Sequence, residues 1–296
     1  MKPLEPVGQY LAQGVQQALR GEGATALASL RQALALQPHQ AETHLLQALI
    51  YTHEGQFPEA LQACQRALYL DDGLTEALVL RGYLYCLGKQ AAKALPDLAQ
   101  VQALRPDWWP VYGVRAWVYS RLQRWEAAVQ DLQHALQLEP ASGDLCYNLG
   151  LAYHALGQPE LALEYWGRAL LLQPEMTEAH AQRATVYGEL KDYERSLAEY
   201  DCWIQKQPQA AKAYYGRGTV RAASGDRQGA VEDFSQALQL NPNAGEVWFH
   251  RGLAYSVLGQ TSAALADAQR AARIFQQQGN TSAYHRARGL VAYLQK

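Results

Sequence analysis

Cysteine, charge and long apolar runs are all scarce in this chain of 296 residues. The four cysteines, Cys64, Cys86, Cys146 and Cys202, stand far apart and form no CxxC pair. That spacing argues against a disulfide framework or a zinc site and suits free thiols in a reducing compartment. Charged residues make up only 18% of the chain, 26 Lys and Arg against 28 Asp and Glu. A surface for nucleic acid or anionic membrane needs a concentrated excess of cations, so neither partner is expected. No apolar stretch approaches the roughly 20 residues of a membrane helix, so no membrane insertion is expected. The opening residues Met-Lys-Pro-Leu-Glu-Pro carry no apolar run after Lys2, and no secretory leader is read there. The expected setting is cytoplasmic.

Catalytic signatures are missing as well. The chain has no phosphate-binding loop, no GxSxG elbow and no HExxH pair, each of which places reactive groups at a fixed spacing. Its eight histidines scatter, and isolated histidines are more often packed or surface residues than ligands. No enzyme, cofactor or metal site is expected.

What the chain does have is a period. Pro38, Pro106, Pro140, Pro174, Pro208 and Pro242 lie on one 34-residue ladder, with Asp72 on the vacant rung and Gln276 on the last. Taking each rung as position 32 divides the chain into 7–40, 41–74, 75–108, 109–142, 143–176, 177–210, 211–244 and 245–278. Residues 1–6 are left as an N-terminal extension and 279–296 as a C-terminal helix. Position 8 is then always Gly or Ala, from Gly14 to Gly252, and position 20 is Ala except for Ser196. Position 11 is tyrosine in six segments: Tyr51, Tyr85, Tyr119, Tyr153, Tyr187 and Tyr255. Position 27 is alanine in six.

Within each segment apolar residues recur at helical spacing in two blocks split by a short break, often with Gly. Each segment thus predicts an antiparallel pair of helices. Glu42, Glu76, Asp144, Glu178 and Glu246 stand where they complement the dipole of the first helix. The pattern resembles the tetratricopeptide-repeat family, with small residues at 8, 20 and 27, Tyr at 11 and Pro at 32, and it covers 7–278. The resemblance implies an all-α, right-handed superhelical α-solenoid of about eight helix pairs plus a C-terminal capping helix. That last helix reads as capped by Thr281, with Ala283, Ala287, Leu290, Val291 and Leu294 on one face. The first segment is atypical, with Gln17 at position 11 and Gly23 in its second helix, as suits a terminal repeat.

One covariation needs no second sequence. Five segments carry Arg at position 7 and an acid at position 23: Arg81 with Asp97, Arg115 with Asp131, Arg183 with Glu199, Arg217 with Asp233, and Arg251 with Asp267. The other three carry neither, offering Gln13 with Ser29, Gln47 with Ala63, and Leu149 with Tyr165. Positions 7 and 23 are equidistant from the hairpin turn, so antiparallel packing sets them opposite one another. These pairs read as structural Arg–carboxylate bridges rather than catalytic groups.

The family resemblance also implies that positions 2, 5, 9, 12 and 13 of each first helix line a concave groove. Positions 5 and 9 supply Leu45, Leu49, Val79, Tyr83, Trp117, Tyr147, Leu151, Tyr215 and Phe249, and Trp109 joins an aromatic patch at the start of the fourth segment. This surface is apolar and lacks the Lys and Asn with which one subfamily grips a C-terminal carboxylate. The functional expectation is a scaffold, adaptor or assembly factor holding a protein or peptide segment. A self-associating homo-oligomeric scaffold and a receptor for a short peptide stay open beside it. One irregularity remains: Trp203 replaces the small residue at 27 and Arg221 the tyrosine at 11 of the next segment. The expectation is compensated packing, with Arg221 stacked on the Trp203 ring.

Overall fold

The fold is seen in a computed structural model that describes residues 6–296, so the extension expected over 1–6 lies outside the described residues except for Pro6. Those residues form α-helices joined by tight turns, with no strand among them. They group into two compact units, Met1–Gln158 and Pro159–Lys296. The first holds α1 (Pro6–Leu19), α2 (Gly23–Leu36), α3 (Ala41–His53), α4 (Phe57–Leu70), α5 (Thr75–Leu87), α6 (Leu95–Leu104), α7 (Trp109–Arg121), α8 (Trp125–Leu138) and α9 (Gly143–Ala155). The second holds α10 (Pro159–Leu172), α11 (Thr177–Glu189), α12 (Tyr193–Lys206), α13 (Ala211–Ser224), α14 (Arg227–Leu240), α15 (Gly245–Val257), α16 (Thr261–Gln277) and α17 (Thr281–Leu294).

The proline rungs explain where second helices stop. A residue before proline is pushed out of the helical region into an extended one. Gln37, Arg105, Glu139 and Gln207 all obey, with φ between −132° and −138°. Asp71 has no proline after it yet takes φ −143°. Its carboxylate accepts a hydrogen bond from the Gly73 amide at 3.0 Å, closing a turn of the kind aspartate favours. On the last rung Gln276 imposes neither restraint, and α16 runs on to Gln277.

First helices end differently. At Gly55, for example, the chain enters the left-handed region with φ 73°. The Gly55 amide donates to the Thr52 carbonyl and the Gln56 amide to the Tyr51 carbonyl, at 3.1 and 2.8 Å. This reciprocal closure satisfies carbonyls that the helix end would leave unpaired. Lys89, Gln123 and Lys191 make the same turn with φ 57°, 58° and 61° although each carries a Cβ. Position 11 always supplies the receiving carbonyl in these turns, which places its backbone at the hinge of every such hairpin.

Inside a hairpin the small residues at positions 8 and 20 let the two backbones approach. Ala26, Ala60, Ala94, Ala128, Ala230 and Ala264 are wholly buried. Ser196 keeps the pattern by donating its hydroxyl to the Ala184 carbonyl at 2.7 Å, so its polar atom is satisfied at the seam. Room is short at position 8: a Cβ built on Gly218 would lie 2.8 Å from the Phe234 ring.

In its helices and their packing contacts the structure departs from the sequence reading at several points. The third pair's second helix opens with a 3₁₀ turn over Ala91–Ala94 before α6. Pro96 sits in the first turn of α6, where its missing N–H costs nothing, and the regular helix begins only there. The final helix is capped by Asn280, whose side chain accepts from the Ala283 amide at 3.1 Å, and Thr281 is its first helical residue. Arg221 does not stack on Trp203. Its guanidinium lies 3.1 Å from Asp233, a stronger attraction than a ring face offers. Trp203 packs beside Tyr200, 6.3 Å between ring centres, against a buried cluster that includes Ala184 and Val220.

The left-handed turns give a stability prediction. A left-handed residue with a Cβ costs about 1–2 kcal/mol, part of which glycine loses again through its freer unfolded state. Gln123→Gly is therefore expected to stabilise the protein by about 0.5–1 kcal/mol, and Gly55→Ala to destabilise it by about 1 kcal/mol. Urea unfolding of the two variants beside the parent chain checks both signs.

Candidate functional site

Two constellations stand out, a ladder of ion pairs within the hairpins and an apolar stripe on the first helices. In the ladder, Arg81 reaches Asp97 through Nε and Nη2, both at 2.7 Å, and Arg115 reaches Asp131 at the same two distances. Arg217 meets Asp233 at 2.9 and 2.6 Å, and Arg251 meets Asp267 at 2.8 and 3.0 Å. All four are two-pronged, the geometry in which a planar guanidinium matches a carboxylate best. Arg183 is the exception. Its partner is Glu199, one methylene longer, which takes Arg183 Nη2 on one oxygen at 2.8 Å and His180 Nδ1 on the other at 2.6 Å. Among the described residues Arg183 Nε is left buried without a partner.

The ladder also reaches between hairpins, which the spacing of residues did not reveal. Arg217 Nη1 bonds Asp201 on α12 at 2.5 Å, Arg251 Nη1 bonds Ser235 on α14 at 3.0 Å, and Arg115 Nη1 bonds Gln102 on α6. One arginine thus ties its own hairpin and clasps the preceding one. Aromatic rings flank the same cations: Arg251 lies 4.8 Å from the Trp248 ring centre and 5.6 Å from that of Tyr255. Hydrogen bonds donated to Asp97 and Asp131 hold the Arg81 and Arg115 guanidinium groups more firmly charged than usual. A group so held neither gives up nor accepts a proton near neutral pH.

The thiols are equally quiet. Burial pushes the Cys64 thiol up to about 12, and its sulfur donates to the Ala77 carbonyl at 3.0 Å. Burial pushes Cys86 up to about 11. Both are therefore poor nucleophiles, since the thiolate is the reactive form.

The apolar stripe runs along the first unit. Val15, Leu49 and Tyr83 are 40%, 47% and 38% exposed on α1, α3 and α5, and Trp117 follows on α7, half-buried. The Tyr83 and Trp117 rings lie 5.1 Å apart at 34°, an offset contact that aromatic pairs favour. Leu45, Val79, Trp109, Tyr147 and Leu151 are half-buried beside or beyond this stripe. A pocket of about 270 Å³ is lined by residues of α1, α2 and α3, among them Val15, Leu19, Leu30, Leu49, His53 and the adjoining Glu54. The rest of the aromatic patch is already engaged. Tyr112 is buried and donates its hydroxyl to the Pro106 carbonyl at 2.8 Å, and the Arg105 guanidinium lies 4.2 Å from the Trp108 ring.

In the second unit the expected groove residues fare differently. Tyr215 is half-buried with its hydroxyl 3.2 Å from His250 Nδ1. Phe249 is not on an open surface: it is buried in one cluster with Phe275, Ala283, Ala287, Leu290 and Val291. The terminal helix α17 lies against α15 and α16 and takes up the face that a further hairpin would otherwise cover. Arg286 on α17 reinforces this cover, 2.8 Å from Glu246 and 5.4 Å from the Phe249 ring.

Family models described as "Tetratricopeptide repeat" match residues 143–176, and 19–74 together with 215–280; one described as "TPR repeat" matches 118–157. No curated protein matches the chain in sequence. Among solved structures, a tetratricopeptide repeat protein from Parabacteroides merdae is similar at 19% identity and TM-score 0.64, covering 84% of this chain and 98% of that one. PilF of Pseudomonas aeruginosa is similar at 20% identity and TM-score 0.61, over 74% of this chain and 96% of that one. MamA residues 41-end from Desulfovibrio magneticus RS-1 follow at 20% identity and TM-score 0.53, over 58% and 98%. At such identities the likeness is one of fold. Among the described residues no helix is long and apolar enough to cross a membrane.

The ladder generates a stability prediction. Removing one member of a buried pair leaves the other charge uncompensated, at a cost of about 3–5 kcal/mol. Arg115→Met and Asp131→Leu are each expected to destabilise by about 3 kcal/mol, and the double variant by clearly less than the sum. A double-mutant cycle from urea unfolding should read a coupling of about 1–3 kcal/mol, and zero coupling would falsify a stabilising role for the pair.

Proposed function

Because this chain belongs to the tetratricopeptide-repeat family, we propose that it is a protein-binding scaffold whose first unit holds an apolar segment of a partner along α1, α3, α5 and α7. The observation that carries this reading is the stripe of Val15, Leu49, Tyr83 and Trp117 on four successive first helices. Apolar side chains left in water along one continuous line mark an interaction surface more often than scattered ones do. The Arg–carboxylate pairs of the hairpins are occupied in holding them together, so they leave the stripe free for a partner.

The stripe also limits the chemistry of the partner. It carries no cation, so it favours leucine, phenylalanine or similar side chains presented at helical or extended spacing over a carboxylate tail. Binding to such a surface depends only modestly on salt, because little of it comes from screened charge. The Tyr83–Trp117 pair is the natural anchor, since large rings supply much contact area for few rotatable bonds. His53 and Glu54 at the edge of the neighbouring pocket would receive the polar flank of the bound segment.

The partner is to be identified by affinity purification from the native organism, followed by mass spectrometry, and its binding segment then synthesised. Trp117→Ala is expected to weaken binding of that segment by about 2 kcal/mol, roughly thirty-fold, and Tyr83→Ala/Trp117→Ala by more. Titration calorimetry at two salt concentrations reads both affinity and salt dependence. Unchanged affinity in a double variant that keeps its helical circular dichroism would move the binding surface away from this stripe. If the protein captured is another copy of this chain, the stripe is a self-association surface instead.

A further inference from the structure

Five hairpins fill the seam between positions 7 and 23 with a guanidinium and a carboxylate; the α3–α4 hairpin does not. Gln47 stands where the arginine would be and Ala63 where the acid would be. The two helices pack as a hairpin all the same, with Ala48 and Ala60 wholly buried at their contact. Shortening both side chains therefore leaves an opening rather than a closed seam. A cleft of about 490 Å³ lies there, lined by His44, Gln47, Tyr51, Ala63, Arg66 and Glu59 among others.

Two polar side chains of the lining lack partners among the described residues. Gln47 is only 8% exposed, and its side-chain amide meets no hydrogen-bonding group among the described residues. His44 Nε2 is likewise buried and unpartnered. Leaving a buried donor unsatisfied costs about 1–3 kcal/mol, which applies here to His44 Nε2 alone, while the Gln47 amide keeps contact with solvent and is open to a ligand in the cleft. Both groups can donate: the Gln47 amide through its NH₂, the imidazole through Nε2–H in the matching tautomer.

The chain itself shows what belongs in the gap. In four hairpins an aspartate carboxylate at position 23 accepts two hydrogen bonds from the residue at position 7. In the second hairpin the acceptor has been cut back to the Ala63 methyl, while Gln47 keeps a donor at position 7. Nearby charge is balanced. Arg66 lines the cleft, held 5.4 Å from the Tyr69 ring, and Arg31 on α2 reaches the Tyr51 hydroxyl at 3.5 Å. Glu59 is the one acid in the lining, exposed in the first turn of α4. The lining thus holds one cation and one anion, and the Gln47 amide donor, standing where the ladder arginines stand, is what favours a carboxylate over a guanidinium.

We propose that this cleft is a carboxylate-binding site that takes the Asp or Glu side chain of an acidic partner segment in the place its own aspartates occupy elsewhere in the ladder. The site is separate from the apolar stripe. Gln47 and Leu49 are two residues apart on α3, which turns them to opposite sides of the helix. A single scaffold would then read two features of its surroundings, an apolar run on one side of α3 and an acidic side chain on the other.

The test is a titration of the full ¹⁵N-labelled chain, followed at the Gln47 side-chain amide resonances, with four probes: acetyl-Gly-Glu-Gly-amide, its Gln and Arg counterparts, and sodium acetate. The Gln47 signals are identified by their loss in Gln47→Leu, a residue the fifth repeat already carries at this position as Leu149. The glutamate peptide is expected to shift these signals saturably at millimolar concentrations, and the glutamine peptide to bind at least about ten-fold more weakly. Refilling the rung with Gln47→Arg/Ala63→Asp should abolish binding while leaving the protein folded, because five hairpins already hold such a pair. In Gln47→Leu the backbone amides of α3 and α4 report in place of the lost side chain, and they should no longer respond. No saturable shift up to about 20 mM, equal shifts by the glutamine or arginine peptide, or undiminished binding by the refilled or Leu variant overturns the proposal. Acetate binding as tightly as the peptide overturns the acidic-segment reading and assigns the site to a small free carboxylate.

Discussion

How closely two antiparallel helices approach within each hairpin sets the rest of this structure. Gly or Ala at position 8 and Ala or Ser at position 20 bring the backbones together, and Gly218 has no room for even one more methyl group beside Phe234. At that distance side chains at positions 7 and 23 meet across the seam, partly removed from water. Such a place strengthens charge pairing and penalises charge left alone. The covariation of the two positions along the chain follows directly: a hairpin carries both members of an Arg–carboxylate pair or neither. The same approach fixes the turns, because a short seam needs a tight hairpin end, and the chain accepts left-handed Lys89, Gln123 and Lys191 to keep it.

Much of this was legible in the amino-acid sequence. The 34-residue period, the small positions and the covariation of positions 7 and 23 are all patterns that repeat, and repetition turns a weak local preference into a readable signal. What escaped the reading is what does not repeat. The third arm of each ladder arginine lands on Asp201, Ser235 or Gln102, three different residue types, so no period announces it. Phe249 shares its repeat position with half-buried Tyr147 and Tyr215, yet it is buried because α17 follows it. Its fate depends on being near the end of the array, not on its place in the motif. Arg221 was misread for a related reason: Asp233 already belonged to Arg217, and nothing in the spacing says that one carboxylate will take two cations.

The division of labour that emerges is between polar groups that hold hairpins and apolar groups that face outward along the first unit. Ladder arginines spend their donors on partners within the fold, and buried thiols are held in their unreactive form. Neither supplies the nucleophile, base and oxyanion donors that acyl or phosphoryl transfer would need in one place. The line from Val15 to Trp117 takes no part in the seams at positions 7 and 23 that hold the hairpins. A protein that keeps such side chains in water gains by burying them in a complex, which is the physical basis for treating the chain as a scaffold.

The most direct measurement of that claim is site-specific photocrosslinking in the native cell, with a benzophenone amino acid placed in turn at Tyr83, Trp117 and Gln130, the last an exposed residue of the second helix α8. If the stripe is the binding surface, positions 83 and 117 crosslink to the same short segment of one partner and position 130 does not. Crosslinks confined to position 130, or a partner retained in full with none at 83 or 117, would contradict the account.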